Sequence, residues 1–228
     1  MVSNLSSSRA GAICSNPSAR EALDRFIARV KAVANAPHPI VIRVSEASAV
    51  NAFAVPGGQI ILLSGLIAST EAPEELTGIV AHEIAHFVRR DPARGMIRSM
   101  AVGAVAGLVF GDALTFSTLG VLAASLLRTS YSRDVETKTN MLAFEILAAA
   151  NMDTKGFATF FERPQKEEGE HSKGVTAHLS THPPSEQRTA LAPAASKPGL
   201  SKPALSSKAW RDIKRDCGSR DATSTRLP

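Results

Sequence analysis

Aromatic residues are scarce in this 228-residue sequence, at 5% with a single Trp and a single Tyr. Proteins that bind single-stranded nucleic acid stack bases on aromatic side chains set among basic ones. Trp210 alone cannot supply such a surface, so nucleic acid is not an expected partner. Cysteine is nearly absent as well. Cys14 and Cys217 lie near opposite ends without CxxC spacing or companions, which excludes a cysteine metal cluster or a dithiol redox motif. One end-to-end disulfide stays open, and with it the redox compartment. The opening stretch, MVSNLSSSRAGAICSNPSAR, lacks the apolar run of a secretory signal, so the chain either stays inside or begins further upstream.

What remains is an ordinary globular composition, 44% hydrophobic and 21% charged, with length for one substantial domain plus tails. The net charge of +5 is not spread evenly. From Ala195 onward there are eight Lys/Arg against three Asp/Glu, which leaves residues 1 to 194 neutral. Residues 1–18 read as a Ser-rich flexible arm, 19–192 as the domain, and 193–228 as a basic tail with a short helix, solvated or touching anionic lipid.

Within the domain, Leu23, Phe26, Ile27, Val30 and Val33 recur at spacings of three and four, predicting a helix over Arg20–Ala34 with one buried face. Ile40–Val44, Asn51–Val55 and Gln59–Leu63 read as strands, the last two joined by Pro56-Gly57-Gly58, and together predict a small antiparallel sheet. A short helix over Leu66–Ser69 precedes Thr70-Glu71-Ala72-Pro73-Glu74, a helix start. The long helix that follows should run to Arg90, with Asp91-Pro92 stopping it. Helical patterns return at Val135–Ala149, Gly156–Phe161, Pro184–Leu191 and Lys208–Lys214.

The long helix carries Ala81-His82-Glu83-Ile84-Ala85-His86, an HExxH motif. Four residues is just over one turn, so both imidazoles project from one face and can share a tetrahedral zinc. Glu83 lies about 100° round the helix, beside the metal rather than on it, where it can take a proton from water. Ile79, Val80, Ile84, Phe87 and Val88 anchor the helix. A catalytic zinc needs a third protein ligand. Glu136, which opens the helix with Val135, Leu142, Ile146 and Leu147, can offer its carboxylate; the plain alternative is a solvated acid favoured by the helix dipole.

The chain resembles the HtpX-like and CAAX prenyl protease type zinc metallopeptidases, which are membrane-associated gluzincins. The resemblance spans about residues 20 to 192 and rests on four motifs in order. These are Asn51-Ala52-Phe53-Ala54 with Pro56-Gly57-Gly58; Glu75-Leu76 through HExxH; Tyr131-Ser132-Arg133-Asp134 with Glu136; and Thr181-His182-Pro183-Pro184 through Arg188. It implies Glu136 as third ligand, one zinc ion per chain and hydrolysis of peptide bonds. It also places His182 close to the metal. There His182 could stabilise a developing oxyanion, with Arg188 sharing that role, or could occupy the open metal position and hold the enzyme latent; a solvated helix-start histidine is the plain alternative. One departure stands out. Where such proteins carry an aspartate four residues after the ligating glutamate, this chain has Asn140. That aspartate looks like the partner that orients a ligating histidine, so its replacement predicts retained zinc with weakened activity.

The strand Asn51–Val55 is expected at the sheet edge, where Asn51, Ala52, Phe53 and Ala54 could pair with an extended substrate; a core hairpin is the alternative. Residues 99–127 hold one charge, Asp112, in 29 positions. They lie between His86 and Glu136, so if all three hold one zinc the chain must leave and return on one side. Two crossings would need roughly 40 residues. A helical hairpin turning at Gly111-Asp112 is what remains, dipping into a membrane or packed on the domain. Gly103, Gly107 and Gly111 allow close helix contact of the kind favoured in lipid.

The expectation is therefore an α+β, mostly helical zincin-like metallopeptidase domain with a small antiparallel sheet and an apolar helical hairpin insert. It would be a zinc-dependent metalloendopeptidase acting on polypeptides in membrane-associated protein quality control, at a bacterial inner membrane, with the side open. The rival is a binding or chaperone-like module that keeps zinc but hydrolyses little.

Overall fold

The computed structural model describes residue 14, residues 16–98, 131–166, 182 and 203–218. Its elements are α1 (Pro17–Val33), β1 (Val41–Ser45), β2 (Ala52–Val55), β3 (Gln59–Leu63), α2 (Ser64–Ser69), α3 (Pro73–Val88), α4 (Arg133–Ala149), α5 (Lys155–Lys166) and α6 (Ser207–Cys217). The mostly helical α+β class is as expected. The expected hairpin of residues 99–127, the 184–191 helix and the arm before Cys14 lie outside the described residues.

Local chemistry sets the helix ends. Asn16 caps α1 by accepting the Ser18 N–H at 2.9 Å, with Pro17 in the first turn. Ser132 caps α4 through the Val135 N–H, and Ser206 caps α6 through that of Ala209. Each satisfies one N–H that a helix start leaves without an internal partner.

The sheet is mixed, with order β1-β3-β2. β2 and β3 pair antiparallel across the Pro-Gly-Gly turn, Ala54 opposite Ile60. β1 instead runs parallel to β3, Ile42 beside Ile60. Three apolar runs in succession fix that strands pair but not their order; here residues 46–51 carry the chain past β3's position, and β3 folds back between the two earlier strands. The turn needs glycine at both places: Gly57 and Gly58 have φ of 91° and 82°, and a Cβ on Gly58 would lie 2.4 Å from the Pro39 carbonyl oxygen.

α3 is the axis of the domain. Every residue from Glu75 to Phe87 is buried, because α4 and α5 cover one side while β2 and α1 contact the rest. The apolar anchors Ile79, Val80, Ile84 and Phe87 are thus part of a helix enclosed on every face from Glu75 to Phe87. Its contact with α5 is close enough that a Cβ on Gly78 would fall 2.5 Å from that of Phe157. The helix ends at Val88, near the expected stop, but residues 91–98 are helical again. Pro92 both ends one helix and sits in the first turn of the next, where its missing N–H costs nothing.

The C-terminal segment is not merely solvated. Ala209, Trp210, Ile213 and Cys217 follow spacings of one, three and four, and Ile213 and Cys217 are buried against the rest of the domain. Lys214 donates to the carbonyls of Ala68 and Thr70 at the end of α2, and the Trp210 indole N–H to that of Glu71. Cys14 and Cys217 form a disulfide with Cα atoms 4.5 Å apart at a sequence separation of 203. On loop-closure entropy such a bond contributes roughly 5 kcal/mol at most. Among the described residues, no helix is long and apolar enough to cross a membrane.

Candidate metal centre

α3 presents His82 and His86 one turn apart, with their Nε2 atoms 3.0 Å from each other. α4 lies alongside and delivers Glu136 from its first turn, Oε1 at 3.2 Å from His86 Nε2 and Oε2 at 3.4 Å from His82 Nε2. His182 closes the group: its Nδ1 is 3.3 Å from both of those Nε2 atoms and 3.1 Å from Glu136 Oε1. All four side chains are buried.

A tetrahedral zinc bound by imidazole and carboxylate at about 2.0–2.1 Å has donor–donor edges of about 3.3–3.4 Å. The observed separations, 3.0 to 3.4 Å when each is taken to the nearer Glu136 oxygen, lie at or slightly below that figure. The donor types are also those zinc prefers. Lone pairs brought this close in a dry interior repel one another unless a cation sits among them, so the residues fit one zinc ion.

The protonation of the group follows from burial and charge. Burial drives His82 down to about 3, despite the Glu136 carboxylate beside it. Burial acts on His86 in the same direction, but hydrogen bonds with Asp91 and Glu136 outweigh it and carry the ring up to about 9. Burial also opposes ionisation of Glu136, yet the surrounding imidazoles hold it well below the usual carboxylate range. Without metal, the group therefore holds a carboxylate and a proton that rests on His86. A divalent cation would displace that proton, so binding tightens as pH rises.

Glu83 faces the same space. Its Oε2 accepts the backbone N–H of Ala54 in β2 at 2.9 Å, and its Oε1 lies 3.6 Å from His182 Nε2. Burial raises its pKa above the ordinary value. β2 is an edge strand, and Asn51 contributes its carbonyl to the Leu63 N–H and its side-chain oxygen to the N–H of Ala52. Asn140, one turn beyond Glu136, is buried. Arg188 lies outside the described residues.

Sequence reasoning missed the residues that hold His86. Asp91 Oδ2 lies 3.1 Å from its Nδ1, Thr139 Oγ1 lies 3.4 Å from the same nitrogen, and the Tyr131 ring stacks on the imidazole at 4.2 Å between centroids and 21° between planes. Phe157 packs against the His82 ring, centroids 5.4 Å apart. Thr139 was findable, being three residues after Glu136 and so on the same face of α4. Asp91 was read only as part of a helix stop, and its return beneath His86 depends on a turn that local pattern does not reveal.

Comparison with known proteins agrees with the site. The model of peptidase family M48 matches residues 17–194, well over half the chain. The mitochondrial metalloendopeptidase OMA1 of Arabidopsis thaliana is 29% identical over 147 residues, covering 64% of this chain and 30% of its own. A putative beta-barrel assembly-enhancing protease of Vibrio cholerae is 30% identical over 188 residues, 77% of this chain and 39% of its own. Metalloprotease LoiP of Escherichia coli is 30% identical over 157 residues, 66% and 60% respectively. The chain thus spans from under a third to about three fifths of the length of these relatives. With the HExxH helix, the downstream glutamate and a family match over residues 17–194, the chain belongs to peptidase family M48.

Proposed function

We propose that this chain is a zinc-dependent metalloendopeptidase that hydrolyses peptide bonds in polypeptide substrates. The observation that carries the proposal is the buried set of donors from His82, His86, Glu136 and His182 at zinc-matching separations, with the Glu83 carboxylate beside it. His82, His86 and Glu136 are the ligands of one zinc ion. Zinc, when bound, supplies a Lewis acid that polarises the scissile carbonyl and acidifies water. Glu83 is the general base. With Oε2 anchored by Ala54, its Oε1 takes the proton of the attacking water and returns it to the amine as the C–N bond breaks. Burial raises its pKa above the ordinary carboxylate value, which makes it a stronger base toward water.

The substrate would lie extended along Asn51, Ala52, Phe53 and Ala54. Because Asn51 accepts from Leu63, antiparallel alternation turns the carbonyls of Ala52 and Ala54 to the open edge, where substrate N–H groups can donate to them. Such pairing reads backbone, so side-chain selectivity is weak. His182 Nδ1 stands at the fourth position of the donor set. In this reading it caps the site in a latent form, and on withdrawal it and Arg188 face the oxyanion. Asn140 is the weaker stand-in for an orienting carboxylate.

Relatives named as beta-barrel assembly-enhancing proteases support a part in protein quality control. The apolar composition of residues 99–127 supports membrane contact there, at a bacterial inner membrane. Deleting residues 102–125 should move the protein from the membrane pellet to the supernatant, and unchanged partitioning would remove the membrane part of the proposal.

The main test is degradation of casein by the purified protein. Activity should vanish with a chelator such as 1,10-phenanthroline and return with added zinc. A second reading, a zinc-retaining module with negligible hydrolysis, is favoured by the presence of a fourth protein donor at the site. One bound zinc per chain without proteolysis, before and after removal of that donor, would select it.

A further inference from the structure

We infer that Asp91 is a positioning residue that fixes the orientation and tautomer of His86 for metal binding, an inference that rests on the zinc reading above. Asp91 lies five positions beyond His86 and reaches it through Arg90, whose φ of 60° places a non-glycine residue in the left-handed region that side chains disfavour. The chain thereby turns at the end of α3 and brings the Asp91 carboxylate, 4% exposed, to the imidazole. Oδ2 stands 3.1 Å from His86 Nδ1. The same oxygen receives the Arg89 Nε–H at 3.0 Å and lies 3.3 Å from the Thr139 hydroxyl, while Arg94 stands 3.8 Å from Oδ1.

An ionised carboxylate only accepts. The His86–Asp91 contact therefore requires a proton on Nδ1, so that in the neutral ring a metal needs it is the Nε2 lone pair that faces the donor set, where Nε2 lies 3.2 Å from Glu136 Oε1. The Arg89 Nε–H holds the carboxylate in place, and Tyr131 stacked on the ring restricts its rotation. The two histidines of the motif are thus held unequally. His86 has a carboxylate, a hydroxyl and an aromatic face, whereas His82 Nδ1 is buried with no hydrogen-bond partner among the described residues. At this site Asp91 supplies an orienting carboxylate, and the histidine it serves is His86.

Loss of such a partner typically weakens metal binding about ten- to a hundredfold. In the full chain, the zinc dissociation constant should rise by that factor for Asp91→Asn, measured by competition with a chromophoric chelator, and Asp91→Glu should recover part of it. In 15N-histidine spectra of the zinc-loaded wild type, His86 should carry its proton on Nδ1, and Asp91→Asn should lose the shift of a carboxylate-bonded N–H. A purely structural Asp91 would alter thermal stability and neither of these readouts. Should Asp91→Asn fail to fold, Arg89→Met and Thr139→Val, which leave the carboxylate but remove its supports, should each weaken zinc by about two- to tenfold. Asn140→Asp in the same competition should tighten binding if position 140 orients His82. Wild-type affinity in Asp91→Asn, or in both support variants, overturns the inference while a large loss in His86→Ala preserves the zinc site. No loss in His86→Ala would defeat the zinc site itself.

Discussion

Replacing Glu83 by glutamine should abolish turnover while leaving the metal in place. The amide keeps the shape and can still accept the Ala54 N–H through its oxygen, but it cannot take a proton from water. General-base catalysis is worth about 10²–10⁴-fold, so casein hydrolysis should fall by that factor with zinc content unchanged. The same substitution should raise the melting temperature of the metal-free protein at neutral pH. Burial lifts the folded-state pKa of Glu83 above its ordinary value, so over the interval between the two the folded chain holds a proton that the unfolded chain has released. Stability linked to that proton is complete below the unfolded value and is lost as pH rises through the folded one. Glutamine, neutral throughout, escapes this loss, and its melting curve should depend less on pH across that interval. A Glu83→Gln protein that still digests casein would remove the base from the mechanism.

Removing the fourth donor should have the opposite effect on activity. If His182 caps the site, His182→Ala opens a position for water and peptide, and hydrolysis of a short unstructured peptide should increase. A tenfold rise would correspond to a wild type uncapped about one tenth of the time, since apparent competence scales with that fraction. If His182 instead serves the oxyanion in the resting enzyme, losing one such donor costs about 10²–10³-fold. The sign of the change separates the two roles. Three protein ligands remain, the usual number at a catalytic zinc, so metal analysis should still find one equivalent.

Much of this site was legible in the linear sequence because helical periodicity is local. His82 and His86 share a face whatever the rest of the chain does, and Glu83 must then stand beside them. Glu136 and His182 were nominated through motif order, and the structure brings both within 3.4 Å of the histidines. Asp91 was invisible for a different reason: its contact requires Arg90 to adopt a positive φ, and no residue type announces that conformation as glycine does. The parallel placement of β1 was likewise hidden, because alternation within a strand says nothing about which neighbour it takes. α6 was undervalued because its charges dominate its composition. Its apolar residues Ala209, Trp210, Ile213 and Cys217 belong to a face that meets α1 and α2, which only the folded chain brings near.

The bond between Cys14 and Cys217 makes the intervening polypeptide a covalent ring. A protease that clips itself or a neighbour once anywhere within that ring opens it without releasing either piece. Both halves of the metal centre, His82 with His86 on one fragment and Glu136 on the other when the cut falls between them, would stay tethered as a single molecule until a reductant separates them.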